Sequence, residues 1–412
     1  MVIDATTSDF IDSHTDGDVQ QLALQASRWP EVDMPMALQQ IAGRQAARDK
    51  LPLWAATQGL LYPPHLSMEQ CSSQVTAFYK AALVRGDSLC DLTGGLGVDF
   101  AFMARGLNRA TYVEQQEQLC DIARHNLPLL GLPDATVVCA DAVEFLRQMS
   151  QVDTIYIDPA RRDQSGKRVY ALADCTPDVA TLAPVLLNKG RQVIIKLSPM
   201  LDIRQALRQL PCVEQVHIVS VRGECKELLL IIRRAYYGEV AVHCVNDDQR
   251  FDYTLGQELC DAPVWDEQMS EGTLWLHEAN ASIMKAGCHD LLAQRLGLCV
   301  VSRDSHLMVS DHVVAGFPGR SFAVQAVAKL NKRELRMAMQ GITHANVAVR
   351  NFPMSAPQLA RRLKVKDGGN TYVFGTTTAT ARHIIFIATA YPTGMNLKAN
   401  KEKNNLTEFD AV

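Results

Sequence analysis

No stretch of this 412-residue chain approaches the roughly 18 uninterrupted apolar residues of a membrane-spanning helix, which excludes a helical membrane span. Lysine and arginine are missing from the first 18 residues, which instead carry Asp4, Asp9, Asp12, Asp16 and Asp18. Secretory and transit peptides open with positive charge, so neither is expected, and cytoplasm is the default location. The 11 cysteines never form a Cys-x-x-Cys pair and read as reduced thiols, neither disulfides nor a zinc site. His277, Glu278 and His289 lack metal-ligand spacing, so no metal is expected. There is no internal repeat and no low-complexity tract.

What is present is a globular composition, 47% hydrophobic and 21% charged, in a chain too long for one ordinary core. The net charge of −4 hides a strong local asymmetry. Arg320, Lys329, Lys332, Arg333, Arg336, Arg350, Arg361, Arg362, Lys364 and Lys366 face a single acid, Glu334, within one block. That is a footprint suited to phosphates, or else a solvated basic face.

The chain is organised around Leu89–Asp99. An apolar run ends in Asp91, passes through Thr93, Gly94, Gly95 and Gly97, and enters a helix-like stretch. This is the strand, turn and helix of a nucleotide or cofactor site, with the acid at the strand's carboxyl end. A pyrophosphate needs free amides and a helix start without a carboxylate beside it. Asp91 repels that group and suits an ammonium, so S-adenosylmethionine is expected rather than a dinucleotide. The loop resembles motif I of class I methyltransferases, D-x-G-x-G-x-G, with Thr93 in place of the first glycine.

From Ser88 to Arg234 strand-like and helix-like runs alternate, which predicts a doubly wound α/β sheet. The last two of its seven strand-like runs are separated only by residues 222–226, so they must form an antiparallel hairpin. That arrangement belongs to class I methyltransferases. Glu114 closes the second strand about twenty residues after the glycines, where an acid holds ribose hydroxyls. Asp141 closes the third and is expected to accept from the adenine amine.

The fourth strand ends Ile157-Asp158-Pro159-Ala160-Arg161-Arg162. It resembles the D-P-P-x motif that holds a nucleophilic nitrogen beside a methyl donor, with Ala160 for the second proline and Arg161 for the stacking aromatic. Asp158, Pro159 and Arg161 are therefore the catalytic candidates. No cysteine follows the fifth strand, where carbon methylation would need one, so nitrogen is the favoured acceptor. Lys196 is either a substrate contact, a partner of Asp158 or a plain strand-end lysine.

Upstream, Val19–Lys80 is read as helical, broken at Tyr62-Pro63-Pro64, with Ser67 as the N-cap of a further helix. Gln70, Ser72 and Ser73 are either first-turn polar groups or cofactor contacts, and Gln70 is kept as a cofactor candidate. Residues 235–317 read as a small α+β module, and residues 396–412 as a polar tail.

Together, Tyr62–Gln70, Asp91–Asp99, Asp158–Arg162, His277–Gly287 and Val365–Gly369 resemble the class I methyltransferases that carry a THUMP-like carboxy-terminal domain. The resemblance implies a helical cap (1–84), a Rossmann-like SAM-binding domain (85–235), a ferredoxin-like module (236–319) and a THUMP-like domain (320–395). It also implies an RNA substrate, tRNA or rRNA. The expected cofactor contacts are Asp91, Thr93, Gly95, Gly97, Glu114, Asp141 and Gln70. Lys332, Arg333, Arg361, Arg362, Lys364 and Lys366 are the expected RNA contacts. Two alternatives stand beside this: an RNA-binding protein with a weakened transferase domain, and a methyltransferase for a non-RNA substrate.

Overall fold

The structure, a computed structural model, describes residues 3–161, 172, 175–266 and 272–391. Arg162 and the 396–412 tail lie outside them. Two compact units divide the chain, Met1–Val216 with Glu227–Val240, and His217–Lys226 with Ala241–Val412.

The first unit opens with helices α1 (Ala5–Ser13), α2 (Val19–Leu24), α3 (Met34–Lys50), α4 (Pro52–Ala56), α5 (His65–Gln70) and α6 (Gln74–Ala81). Four of the five acids at the start of the chain are engaged by nearby groups. Asp4 and Asp18 cap α1 and α2 by accepting from backbone N–H groups, and Asp12 and Asp16 pair with Arg44 and Arg48 of α3. Helix α5 opens at His65, so Ser67 lies inside it rather than capping it. The capping hydroxyl is that of Ser73, which accepts from Thr76 N at the start of α6.

Next come β1 (Ser88–Asp91), α7 (Val98–Met103), β2 (Arg109–Glu114), α8 (Glu117–Leu129), β3 (Thr136–Cys139), α9 (Ala142–Gln148) and β4 (Val152–Ile157). A short ribbon of β5 (Ala160–Arg161) and β6 (Cys175–Thr176) precedes α10 (Val179–Lys189), β7 (Gly190–Leu197), α11 (Ile203–Gln209), β8 (Val213–Val221) and β9 (Glu224–Arg233). Strands β3, β2, β1, β4 and β7 are parallel neighbours, and β9 runs antiparallel to β7. Helices cover a parallel sheet on both faces, so its central strands are apolar almost throughout: Thr154, Ile155, Tyr156 and Ile157 of β4 are all buried.

In the second unit β10 (Ala241–Asn246) and β11 (Gln249–Thr254) form a hairpin. The seven expected strands follow one another across their sheet in the order β8-β9-β7-β4-β1-β2-β3. The rest comprises β12 (Trp275–Ala279), α12 (Ala281–Ala286), α13 (His289–Leu296), β13 (Cys299–Val300), β14 (Leu307–Ser310), β15 (Gly319–Lys329), α14 (Lys332–Ala338), β16 (Asn346–Arg350), α15 (Ala356–Leu363), β17 (Thr371–Thr377) and β18 (His383–Ala390). One sheet, ordered β13-β14-β12-β15-β18-β17-β16, holds all seven strands. Leu335 and Met339, in and just after α14, and Leu359 of α15 pack with Ala328, Val373, Ile385 and Ile387 in one core cluster.

Candidate active site

The loop after β1 is pinned from both sides. On the β4 side, Leu92 N donates to Tyr156 O at 3.0 Å, and the Thr93 hydroxyl accepts from Asp158 N at 2.7 Å. On the β2 side, Gly94 N donates to Val113 O at 2.8 Å and the Tyr112 hydroxyl donates to Gly95 O. The loop lies so close to the Tyr112 ring that a Cβ on Gly94 would come within 2.1 Å of it. Gly97, at φ +84°, caps α7 in the left-handed region that favours glycine.

This bracing brings most of the expected residues to the carboxyl ends of adjacent strands. Asp91 is 1% exposed and accepts from Thr93 N at 2.9 Å. Glu114 uses both oxygens, taking Gly95 N at 3.0 Å and Gln116 N at 2.9 Å. Asp158 follows β4 directly, and Pro159 is buried beside it. Asp141 is exposed two residues beyond β3, where one oxygen caps α9 by accepting from Val143 N and Glu144 N. Gln70 is exposed at the last residue of α5, and Ser72 is the residue of that turn that reaches the site. Arg161 closes β5, and its side chain lies outside the described residues.

A charged cluster adjoins Asp158, and most of it has no local signature. Lys196 Nζ of β7 lies 2.6 Å from Asp158 Oδ2 and 3.7 Å from Asp99 Oδ2 of α7. The Tyr156 and Ser72 hydroxyls donate to Asp99 at 2.7 and 2.8 Å. Lys80 of α6 is fully buried, 3.2 Å from Asp99 Oδ1 and 2.7 Å from both oxygens of Glu227 on β9. The only signal in the sequence is a lysine and a glutamate at positions whose neighbours belong to the core.

Burial sets the protonation here, and partners modify it. Burial pushes the Asp91 carboxyl well above the usual range, and the carboxylates of Asp99, Asp158 and Glu114 add to the rise. Burial also opposes ionisation of Asp99, but the Lys80 and Lys196 ammoniums outweigh it and hold that carboxyl low. For Glu227 burial wins, and its carboxyl is raised despite Lys80. Burial works against the charge on Lys196, yet Asp158, Asp99 and Glu227 raise its pKa above the usual lysine value. Among the described residues no cation pairs with Asp91, so a positive charge placed beside it would favour its ionised form.

In the second unit, Lys332, Arg333 and Arg336 of α14 are exposed, as are Arg361 and Arg362 of α15 and Lys364 and Lys366 just beyond it. Arg320 and Arg350 are occupied differently: both clasp the buried carboxylate of Glu278. Both ring nitrogens of His277 are bonded, to Ser310 and Ser321.

Comparison with known proteins bears on the whole chain. Residues 319–390 match a THUMP domain-like profile, 275–318 a ferredoxin-like domain, and 75–193 the profile described as conserved hypothetical protein 95. A crystal structure from Porphyromonas gingivalis W83, assigned there as a methyltransferase, is 31% identical with a TM-score of 0.84, covering 95% of this chain and 100% of that one. The chain belongs to the class I SAM-dependent methyltransferases with a THUMP-like carboxy-terminal domain. Two further members, from Mycobacterium tuberculosis strains CDC 1551 and H37Rv, are named uncharacterized S-adenosylmethionine-dependent methyltransferases. Each is 24% identical over 303 residues, 73% of this chain and 80% of its own length. Within this methyltransferase family, Thr93 stands where the motif has its first glycine, and its hydroxyl makes a bond that glycine cannot.

Proposed function

We propose that the protein transfers a methyl group from S-adenosylmethionine to a base nitrogen of RNA, with tRNA the first substrate to test. The observation that carries the cofactor assignment is the set of acids around the glycine loop, on strands β1 and β2 and at the start of α9. A buried carboxyl such as Asp91 ionises readily only beside a cation, and the methionine ammonium is one. Each Glu114 oxygen already takes one backbone N–H and has a lone pair left for a ribose hydroxyl. The Asp141 oxygen that does not cap α9 faces no such demand and suits the adenine amine. Gln70, exposed at the end of α5, is the weakest of these assignments.

S-adenosylmethionine, when bound, supplies an activated methyl on a sulfonium, whose positive charge passes to the acceptor as the methyl moves. The protein's part is placement. Asp158 and the Asp158–Pro159 backbone accept hydrogen bonds from the acceptor's N–H groups and aim its lone pair. Arg161, two residues beyond Pro159, is assigned to the substrate side. Lys332, Arg333, Arg361 and Arg362 on the two basic helices, with Lys364 and Lys366 just beyond the second, grip phosphates, and the THUMP-like match supports that use.

The test incubates the protein with methyl-labelled S-adenosylmethionine and RNA pools from a strain lacking it, followed by mass spectrometry of the nucleosides. Label on one base nitrogen is the expected result; label on carbon, or on protein only, overturns the assignment. Ala160 and Arg161, where the D-P-P-x motif has proline and an aromatic, favour a second reading, an RNA-binding protein with a weakened transferase. RNA binding with no label in any pool is its signature.

A further inference from the structure

Asp158 carries two conflicting demands. To orient an acceptor N–H it needs one fixed, open oxygen. As a bare carboxylate it also draws the sulfonium toward itself and away from the line of transfer. A methyl donor pulled off that line loses the alignment on which transfer depends.

Lys196 answers both. Its ammonium lies 2.6 Å from Asp158 Oδ2 and its side chain is only 15% exposed. From behind, Asp99 Oδ2 holds it at 3.7 Å and the Ser72 hydroxyl at 3.3 Å. Asp99 is fixed in turn by Tyr156, Ser72 and Lys80, and Lys80 by Glu227. A lone surface ion pair orders little. Here a ladder of charges runs from the core to the acid at the end of β4, and Lys196 is its last rung.

We propose that Lys196 is a positioning residue: it occupies Asp158 Oδ2, leaves Oδ1 as the open acceptor for the substrate N–H, and cancels the carboxylate's pull on the sulfonium. This rests on the reading that Asp158 faces the methyl acceptor beside a bound S-adenosylmethionine. The lysine sets direction and charge, and takes no proton and forms no bond.

The test compares binding of S-adenosylmethionine, which carries the sulfonium charge, with S-adenosylhomocysteine, which lacks it. Both are titrated calorimetrically into the full-length wild type, Lys196→Met and Lys196→Arg. Removing the ammonium uncovers Asp158, so Lys196→Met is expected to raise the ratio of the two affinities roughly five- to tenfold, the scale of one screened charge contact. Lys196→Arg keeps the wild-type ratio. Transfer of label to RNA falls about tenfold or more in Lys196→Met and recovers in Lys196→Arg.

An unchanged ratio in Lys196→Met overturns the proposal and leaves Lys196 a structural strand-end residue. Should that variant not fold, Lys196→Gln keeps a donor for Asp158 and Ser72 without the charge and is read in the same way. A wild type that binds neither nucleoside overturns the cofactor reading and this proposal with it. A shifted ratio with no label on any RNA sustains the role of Lys196 and overturns only the RNA assignment.

Discussion

The Thr93 hydroxyl accepts a hydrogen bond from the backbone N–H of Asp158 at 2.7 Å, tying the loop after β1 to the end of β4. The same residue's backbone N–H donates to Asp91. One residue thus couples the proposed ammonium site, through its backbone, to the proposed acceptor site, through its side chain.

Thr93→Val keeps the shape and removes the acceptor, leaving a half-buried N–H unpaired. Unfolding stability should drop by about 1–3 kcal/mol in urea titrations, with Thr93→Ser close to wild type. Equal stability of the Val and Ser variants would show that the bond does not brace the loop.

Binding of S-adenosylmethionine should be linked to proton release at Asp91. Its carboxyl is raised in the free protein, and a cation beside it favours the ionised form, so a proton leaves on binding. Affinity should therefore climb with pH from the usual carboxylate range up through the raised Asp91 value, then level off. Calorimetry in buffers of different ionisation enthalpy measures the proton count, and Asp91→Asn should abolish it along with most of the affinity.

Lys80→Met should be severely destabilising, by about 3–5 kcal/mol in thermal or urea unfolding, because it strands Glu227 as a buried charge and takes from Asp99 one of its two ammoniums. Adding Glu227→Gln should recover part of that loss. A double variant less stable than the single one would mean that the pair is not coupled.

Lowered pH should weaken the same cluster through Asp99. Its carboxyl is held low by Lys80 and Lys196, so its contribution is present above the ordinary value near 4 and is lost as pH falls through the lower folded value. Asp99→Asn should flatten that acid limb in unfolding curves.

Neutralising Arg361, Arg362, Lys364 and Lys366 together should weaken RNA binding and reduce its salt dependence. On single strands the slope should fall by about 0.7 for every phosphate the protein no longer neutralises. Filter binding across a salt series reads this directly. An unchanged slope would place the RNA surface elsewhere.

The sequence makes legible what local grammar encodes. The glycine loop, Glu114, Asp141 and Asp158 each sit at a strand end that an apolar run announces. Strand β15 is harder to see because Gly319–Lys329 falls partly within the basic block, where charge masks its alternation. Helix α1 is masked by the acids of its own segment, although one of them, Asp4, is its cap. The Lys80–Glu227 pair has no local signature at all, since each residue acquires meaning only from the other. That the two carboxy-terminal modules share one sheet is hidden for a similar reason: pairing between β12 and β15 is a property of neighbours, and not of either segment.

Lys80 and Glu227 are 147 positions apart in the chain. At roughly 5–20 residues per second of synthesis, the helix bearing the lysine is made some 7–30 s before Glu227 exists, with Asp99 the earlier of its two carboxylate partners. During that interval its ammonium has Asp99 and Ser72 to bond and lacks the two Glu227 oxygens. A nascent chain arrested before residue 227 is therefore expected to hold α6 less firmly, and to be cut there faster by protease, than the finished chain.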